Sequence, residues 1–152
     1  MIDLTSQIKE FFHTYLRDQR ALSPNTIKSY RDTFKILIAY LYARRRTSRP
    51  LTLADLDAKT ILAFLQHLED HQHGRGNSAN TRNQRLAAIQ SFFKYLSIHC
   101  PSIENQARRV MGIPVKKVPP TEEDFLTRQE LDVLLAQPRM DSSDGVRDLA
   151  LL

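Results

Sequence analysis

Between Ile27 and Leu41 the apolar residues fall at Ile27, Tyr30, Phe34, Leu37, Ile38 and Leu41. Spacings of three and four put all six on one side of an α-helix and on no single face of a strand. The start of that helix is also legible. Ser23 is a good N-cap, and Pro24 occupies the first helical position, where its missing N–H costs nothing. The opposite face carries Asn25, Lys28, Arg31, Asp32 and Lys35, and the helix is expected to end near Arg44-Arg45-Arg46. A helix with one apolar stripe must bury it against others of the same kind.

Three such partners can be read nearby. Ile8, Phe11, Phe12, Tyr15 and Leu16 predict a helix over about 5–20. Ile61, Phe64, Leu65 and Leu68 predict another over about 58–71, after a connector anchored by Leu51, Leu53 and Leu56. Leu86, Ile89, Phe92, Phe93 and Leu96 predict a fourth, capped by Ser78 or Asn80 and ending near His99, where Pro101 stops it. A short fifth helix over about 103–110 is plausible from the pattern. No β pattern is convincing and no internal repeat is visible. The fold class is therefore all-α, a bundle of four to five helices.

The character changes after Met111. Gly112 to Phe125 holds Pro114, Pro119 and Pro120, with Lys116, Lys117 and an acidic trio, and reads as an extended linker. Thr127-Arg128-Gln129-Glu130 then forms a capping box ahead of Leu131, Leu134 and Leu135. A last apolar helix is expected from near Val146. The division is thus a helical domain over 1–111, a linker over 112–126, and the start of a second, truncated domain over 127–152.

Charge follows the same division. Residues 1–118 hold 19 Lys+Arg against 9 Asp+Glu, whereas 119–152 hold 3 against 8. A basic domain suits a polyanionic partner, nucleic acid before others. No stretch reaches the roughly 18 apolar residues of a membrane span, and the N-terminus has no basic flank with a long apolar run. One cysteine, Cys100, excludes an internal disulfide and suits a buried small apolar role. These features are those expected of a cytoplasmic protein without a membrane anchor.

Two helix starts share a design. Ser23-Pro24-Asn25-Thr26 is followed by Lys28 and Arg31, and Ser78-Ala79-Asn80-Thr81 by Arg82, Asn83, Gln84 and Arg85. Free N–H groups at a helix start favour phosphate, while Asn, Gln and Arg can read base edges. Good caps on a solvated basic face would look the same. Helical phase turns Asn80, Asn83 and Gln84 away from the apolar stripe. Arg85 falls on its flank and Arg82 near it, with reach past the core from the first turn. His67 and His71 are spaced i, i+4, with His73 close by, but the sequence lacks the Glu after the first His that a metalloprotease motif requires. No metal site, nucleophile arrangement or phosphate loop is expected, and no cofactor.

The run from Ser23 to Tyr30, followed by Phe34, resembles the second helix of the core-binding domain of tyrosine recombinases, the phage integrase family. Asn80-Thr81-Arg82-Asn83-Gln84-Arg85-Leu86-Ala87-Ala88-Ile89, with Phe92-Phe93-Lys94-Tyr95-Leu96, resembles the fourth. Phe125 to Leu131 and Gly145 to Leu152 are similar to the opening of the catalytic domain. The resemblance implies a SAM-like helical domain that clamps double-stranded DNA. It implies DNA contacts at Asn25, Thr26, Lys28 and Arg31, and at Asn80, Thr81, Arg82, Gln84 and Arg85, with Lys116 and Lys117 along the backbone. It also implies a parent enzyme that cuts and rejoins DNA through a tyrosine, in assemblies with other protomers. The family's catalytic Arg, Lys, His and Tyr set is expected after Leu152, so the chain as given is expected to bind DNA and cut nothing. The alternatives are a stand-alone DNA-binding protein and a helical protein-interaction module.

Overall fold

The computed structural model describes residues 2–119 and 128–136. The chain divides into two units, 1–117 and 118–152. All regular structure among the described residues is helical. None of these helices is long and apolar enough to cross a membrane.

The first unit opens with α1 (Leu4–Glu10), capped by the Asp3 carboxylate, which accepts from the Thr5 and Ser6 N–H groups. The chain continues without a break into a π-helical segment, Phe11–Gln19. This is where the structure departs from the regular helix expected over 5–20. The wider turns leave Phe11, Phe12 and Leu16 all buried and close with Arg20 N–H on Tyr15 O at 2.9 Å. Ala21, in the left-handed region at φ 47°, then turns the chain away.

α2 (Pro24–Arg44) starts as its sequence predicts, with the Ser23 hydroxyl accepting from Thr26 N–H. A 3-10 turn, Leu53–Asp55, leads to α3 (Ala58–Glu69), whose N-cap is Asp57. α3 stops two residues before the expected His71. The Asp70 carboxylate accepts from the Gln72 and His73 N–H groups, which favours a turn over continued helix. Gly76 sits at φ 62° in the loop that follows, where a Cβ would meet the His71 ring. α4 (Ala79–His99) is capped by Ser78, not Asn80. A 3-10 turn at Pro101–Ile103 joins it to α5 (Glu104–Met111). In the second unit, α6 (Arg128–Ala136) is described. Thr127 of the expected capping box and the helix expected from Val146 lie outside the described residues.

The core is a knot of rings. Phe92 of α4 lies 5.1 Å from Phe11 and 5.2 Å from Phe34 between ring centroids, both edge-on, the geometry that π-quadrupoles favour. Tyr95 sits against Tyr15, with ring centroids 5.1 Å apart. Leu37, Ile61, Leu65, Leu68, Leu86 and Ile89 fill the remaining space. Cys100 is buried in this core, its thiol donating to Gln7 Oε1.

The loop before α3 is held electrostatically. The Asp55 carboxylate accepts from both terminal nitrogens of Arg49 and from the Thr52 N–H and hydroxyl. These donors, Arg49 foremost, bring its pKa down to about 2 against the desolvation that opposes them.

Two outcomes follow from this packing. Phe92→Ala leaves a void at the meeting of three helices and should cost about 3–5 kcal/mol in urea unfolding. For Asp55 the folded pKa lies below the unfolded one, so the ionised carboxylate stabilises the fold above about pH 4 and that contribution disappears as pH falls toward about 2. Asp55→Asn should flatten the stability–pH curve across that window, and an identical curve in both proteins would remove the carboxylate from the account.

Candidate nucleic-acid interface

α2 and α4 begin with the same local device. In each, a serine caps the helix and its hydroxyl meets that of a threonine three residues on: Ser23 with Thr26 at 2.9 Å, Ser78 with Thr81 at 3.2 Å. The threonine N–H donates to the serine Oγ at 3.2 Å in both. Thr26 and Thr81 are half-buried, so both expected contact residues also serve the caps.

Arg85 brings the two helices together. Its Nη1 donates to Thr33 Oγ1 at 3.1 Å and to Ser29 O at 3.4 Å. Thr33 is itself buried, and its hydroxyl donates to Ser29 O at 3.0 Å. A charged donor on a part-buried hydroxyl and carbonyl makes a strong polar joint. It lies one residue from Lys28 on α2 and one from Gln84 on α4. The contact thus joins α2 and α4 within the front half of each helix. Asn25, Lys28 and Arg31 are exposed on α2, at successive spacings of three that place them on one face. Asn80 and Gln84 are exposed on α4, one turn apart.

Arg82 is placed differently. Only 5% of it is exposed. Its Nη1 donates to Pro114 O at 3.0 Å and to Asn83 Oδ1 at 3.1 Å. The phase that put it near the apolar stripe is the phase it has, and the side chain is spent inside the protein. Lys116 and Lys117 are exposed at the end of the first unit. The Lys116 ammonium pairs with Glu69 Oε2 at 2.7 Å.

Four residues outside the expected contact set shape this region: Thr33, Glu69, Asn83 and Gln90. Asn83 and Gln90 are seven apart and share a face of α4. Both hold main-chain groups that follow α5: Gln90 Nε2 donates to Ile113 O at 3.0 Å, and Asn83 Nδ2 to Lys116 O at 2.7 Å. Their amide chemistry was visible in the sequence, but their partners, 23 and 33 residues away, were not. The histidines go to other uses. His67 lies 5.0 Å from the Tyr40 ring, and His73 faces Asp70. Among the described residues no group of three metal-ligating side chains comes together.

The family described as phage integrase, N-terminal SAM-like domain, matches residues 8–98, and the chain belongs to that family. It is 43% identical over 98% of its length to the integrase/recombinase y4rC of Sinorhizobium fredii, covering 44% of that protein. It is 37% identical over 98% of its length to y4rD of the same organism, covering 52% of it. It is also 30% identical over 94% of its length to the tyrosine recombinase XerC of Roseiflexus castenholzii, covering 42% of it. The chain thus spans about half the length of the curated relatives it matches. No solved structure matches it.

Burial gives Arg82 a testable structural weight. Arg82→Ala removes a charged donor from Pro114 O and should lower stability by about 1.5–3 kcal/mol, read from the urea midpoint at constant m-value.

Proposed function

We propose that the first unit binds double-stranded DNA as the core-binding part of a site-specific tyrosine recombinase. The observation that carries this reading is the Arg85 joint. It joins the front of α2 to the front of α4, and Asn25, Lys28, Arg31, Asn80 and Gln84 are exposed on those two helices. The basic excess of residues 1–118 gives that region a field suited to phosphate. Relatives named as an integrase/recombinase and a tyrosine recombinase, similar over nearly the whole chain, support the reading.

Roles divide by chemistry. Lys28 and Arg31 neutralise phosphates and set register without reading sequence. Asn25, Asn80 and Gln84 have amides that can pair with adenine edges if their helix starts enter a major groove. Thr26 and Thr81 close the caps and leave backbone N–H groups of the first turns for phosphate. Arg82 and Arg85 act by holding the surface in shape. Lys116 and Lys117 extend the backbone track where the chain leaves this unit. Residues 127–152 open the catalytic domain, and strand cutting and rejoining belong to the longer parent protein, working with other protomers on the DNA. The first domain is read as 1–111 with a linker over 112–126, the front of which packs on the bundle.

Fluorescence anisotropy with mixed-sequence duplex, from low to physiological salt, tests this. Affinity should fall log-linearly with salt. Lys28→Gln and Arg31→Gln should each reduce the slope by about 1 and weaken binding evenly across sequences. Gln84→Ala should instead change site preference. Slopes equal to that of the unaltered chain would take both cations off the phosphate list.

A further inference from the structure

The segment after α5 is strung along α4 by polar side chains. Gln90 Nε2 donates to Met111 O at 3.1 Å and Ile113 O at 3.0 Å. Two turns nearer the helix start, Arg82 donates to Pro114 O. Next to it Asn83 makes a two-way contact with one residue: Nδ2 donates to Lys116 O at 2.7 Å, and Oδ1 accepts from Lys116 N–H at 3.0 Å. A neighbouring antiparallel strand would offer a residue the same pair of bonds. The Arg82 guanidinium also donates to Asn83 Oδ1. It thereby fixes which end of the carboxamide accepts and which donates.

Burial does not explain why this stretch follows that path. Ile113 is the last buried side chain among the described residues, at 5% exposure, and Val115 is 65% exposed. Pro114, Lys116 and Lys117 are exposed too. From Pro114 to Lys116 the chain is kept in place by hydrogen bonds from two adjacent residues of α4 and by the ion pair of Lys116 with Glu69. The Glu69 side chain is 22% exposed, while that of Lys116 is 52% exposed and open to a phosphate from solvent.

We propose that Asn83, oriented by Arg82, is a positioning residue for DNA binding. It fixes the path by which the chain leaves the bundle, so that Lys116 and Lys117 lie beside the front of α4, already ordered to meet the phosphate backbone. The inference rests on the DNA-binding reading above. It adds that a neutral amide controls how many phosphates two lysines neutralise. Without the clasp the lysines keep their charge but lose their place, and ordering them again opposes binding.

The test compares salt slopes of the 152-residue chain, Asn83→Ala, Lys116→Gln/Lys117→Gln and the triple variant, on mixed-sequence duplex. Asn83→Ala should lower the slope by about 1–2 although it removes no charge, with unchanged helical circular dichroism. In the triple variant the slope should be no lower than in the lysine double variant. A slope unaltered by Asn83→Ala overturns the proposal. So does a further drop in the triple variant, which would mean Asn83 meets the DNA itself. An unaltered chain that fails to bind even at low salt overturns the DNA reading, and this one with it, and is distinct from both results. Should Asn83→Ala not fold, amide exchange of Lys116 in the unaltered chain decides. Protection of about tenfold or more over an unstructured chain supports the clasp, and free-chain exchange overturns it.

Discussion

The first unit depends on the edge-on contacts that Phe92 makes with Phe11 and Phe34. They tie the π-helical segment, α2 and α4 to one point. Aromatic rings have strong directional preferences at such distances, so the knot sets the rotation of each helix about its own axis as well as its position. The rotation of α4 then decides which residues face inward. With Phe92, Phe93 and Leu96 turned to the core, Arg82 is buried, Arg85 reaches α2, and Asn80 and Gln84 look outward. The surface region follows from the core.

Polar joints work on that frame, and the two arginines of α4 illustrate how. Neither is used as an exposed cation in the free chain. Arg85 joins two helices through a hydroxyl and a carbonyl, and Arg82 ties α4 to the segment after α5. Guanidinium suits both tasks because its donors are fixed in one plane and it stays charged when buried. A basic surface is therefore partly a scaffold for its own shape.

The features legible in the sequence are those decided within a few residues. The start of α2 needs only Ser23, Pro24 and Thr26 and could be read along the chain, while the start of α4 was narrowed to Ser78 or Asn80, of which Ser78 is the cap. The stripe of each helix gave its buried face, and the phase of Arg82 already pointed inward. The π-helical turn at Phe11–Gln19 was not legible, because the same apolar spacing fits ordinary helical turns and the choice is made by the rings packed against it. The end of α3 depended on whether the Asp70 carboxylate capped a turn or faced solvent. The Arg85–Thr33 joint and the Asn83–Lys116 contact could not be read at all, since they join residues 52 and 33 apart that only the tertiary fold brings together.

The burial of Cys100 has a practical consequence. It is the chain's one cysteine, 7% exposed, with its thiol turned to Gln7. Thiol reagents in solution therefore meet only a buried thiol on the folded first unit. A cysteine introduced at an outward position of α2 or α4 would be the one reactive thiol, so a fluorophore or cross-linker could report from a chosen point of the surface with the native core left unaltered.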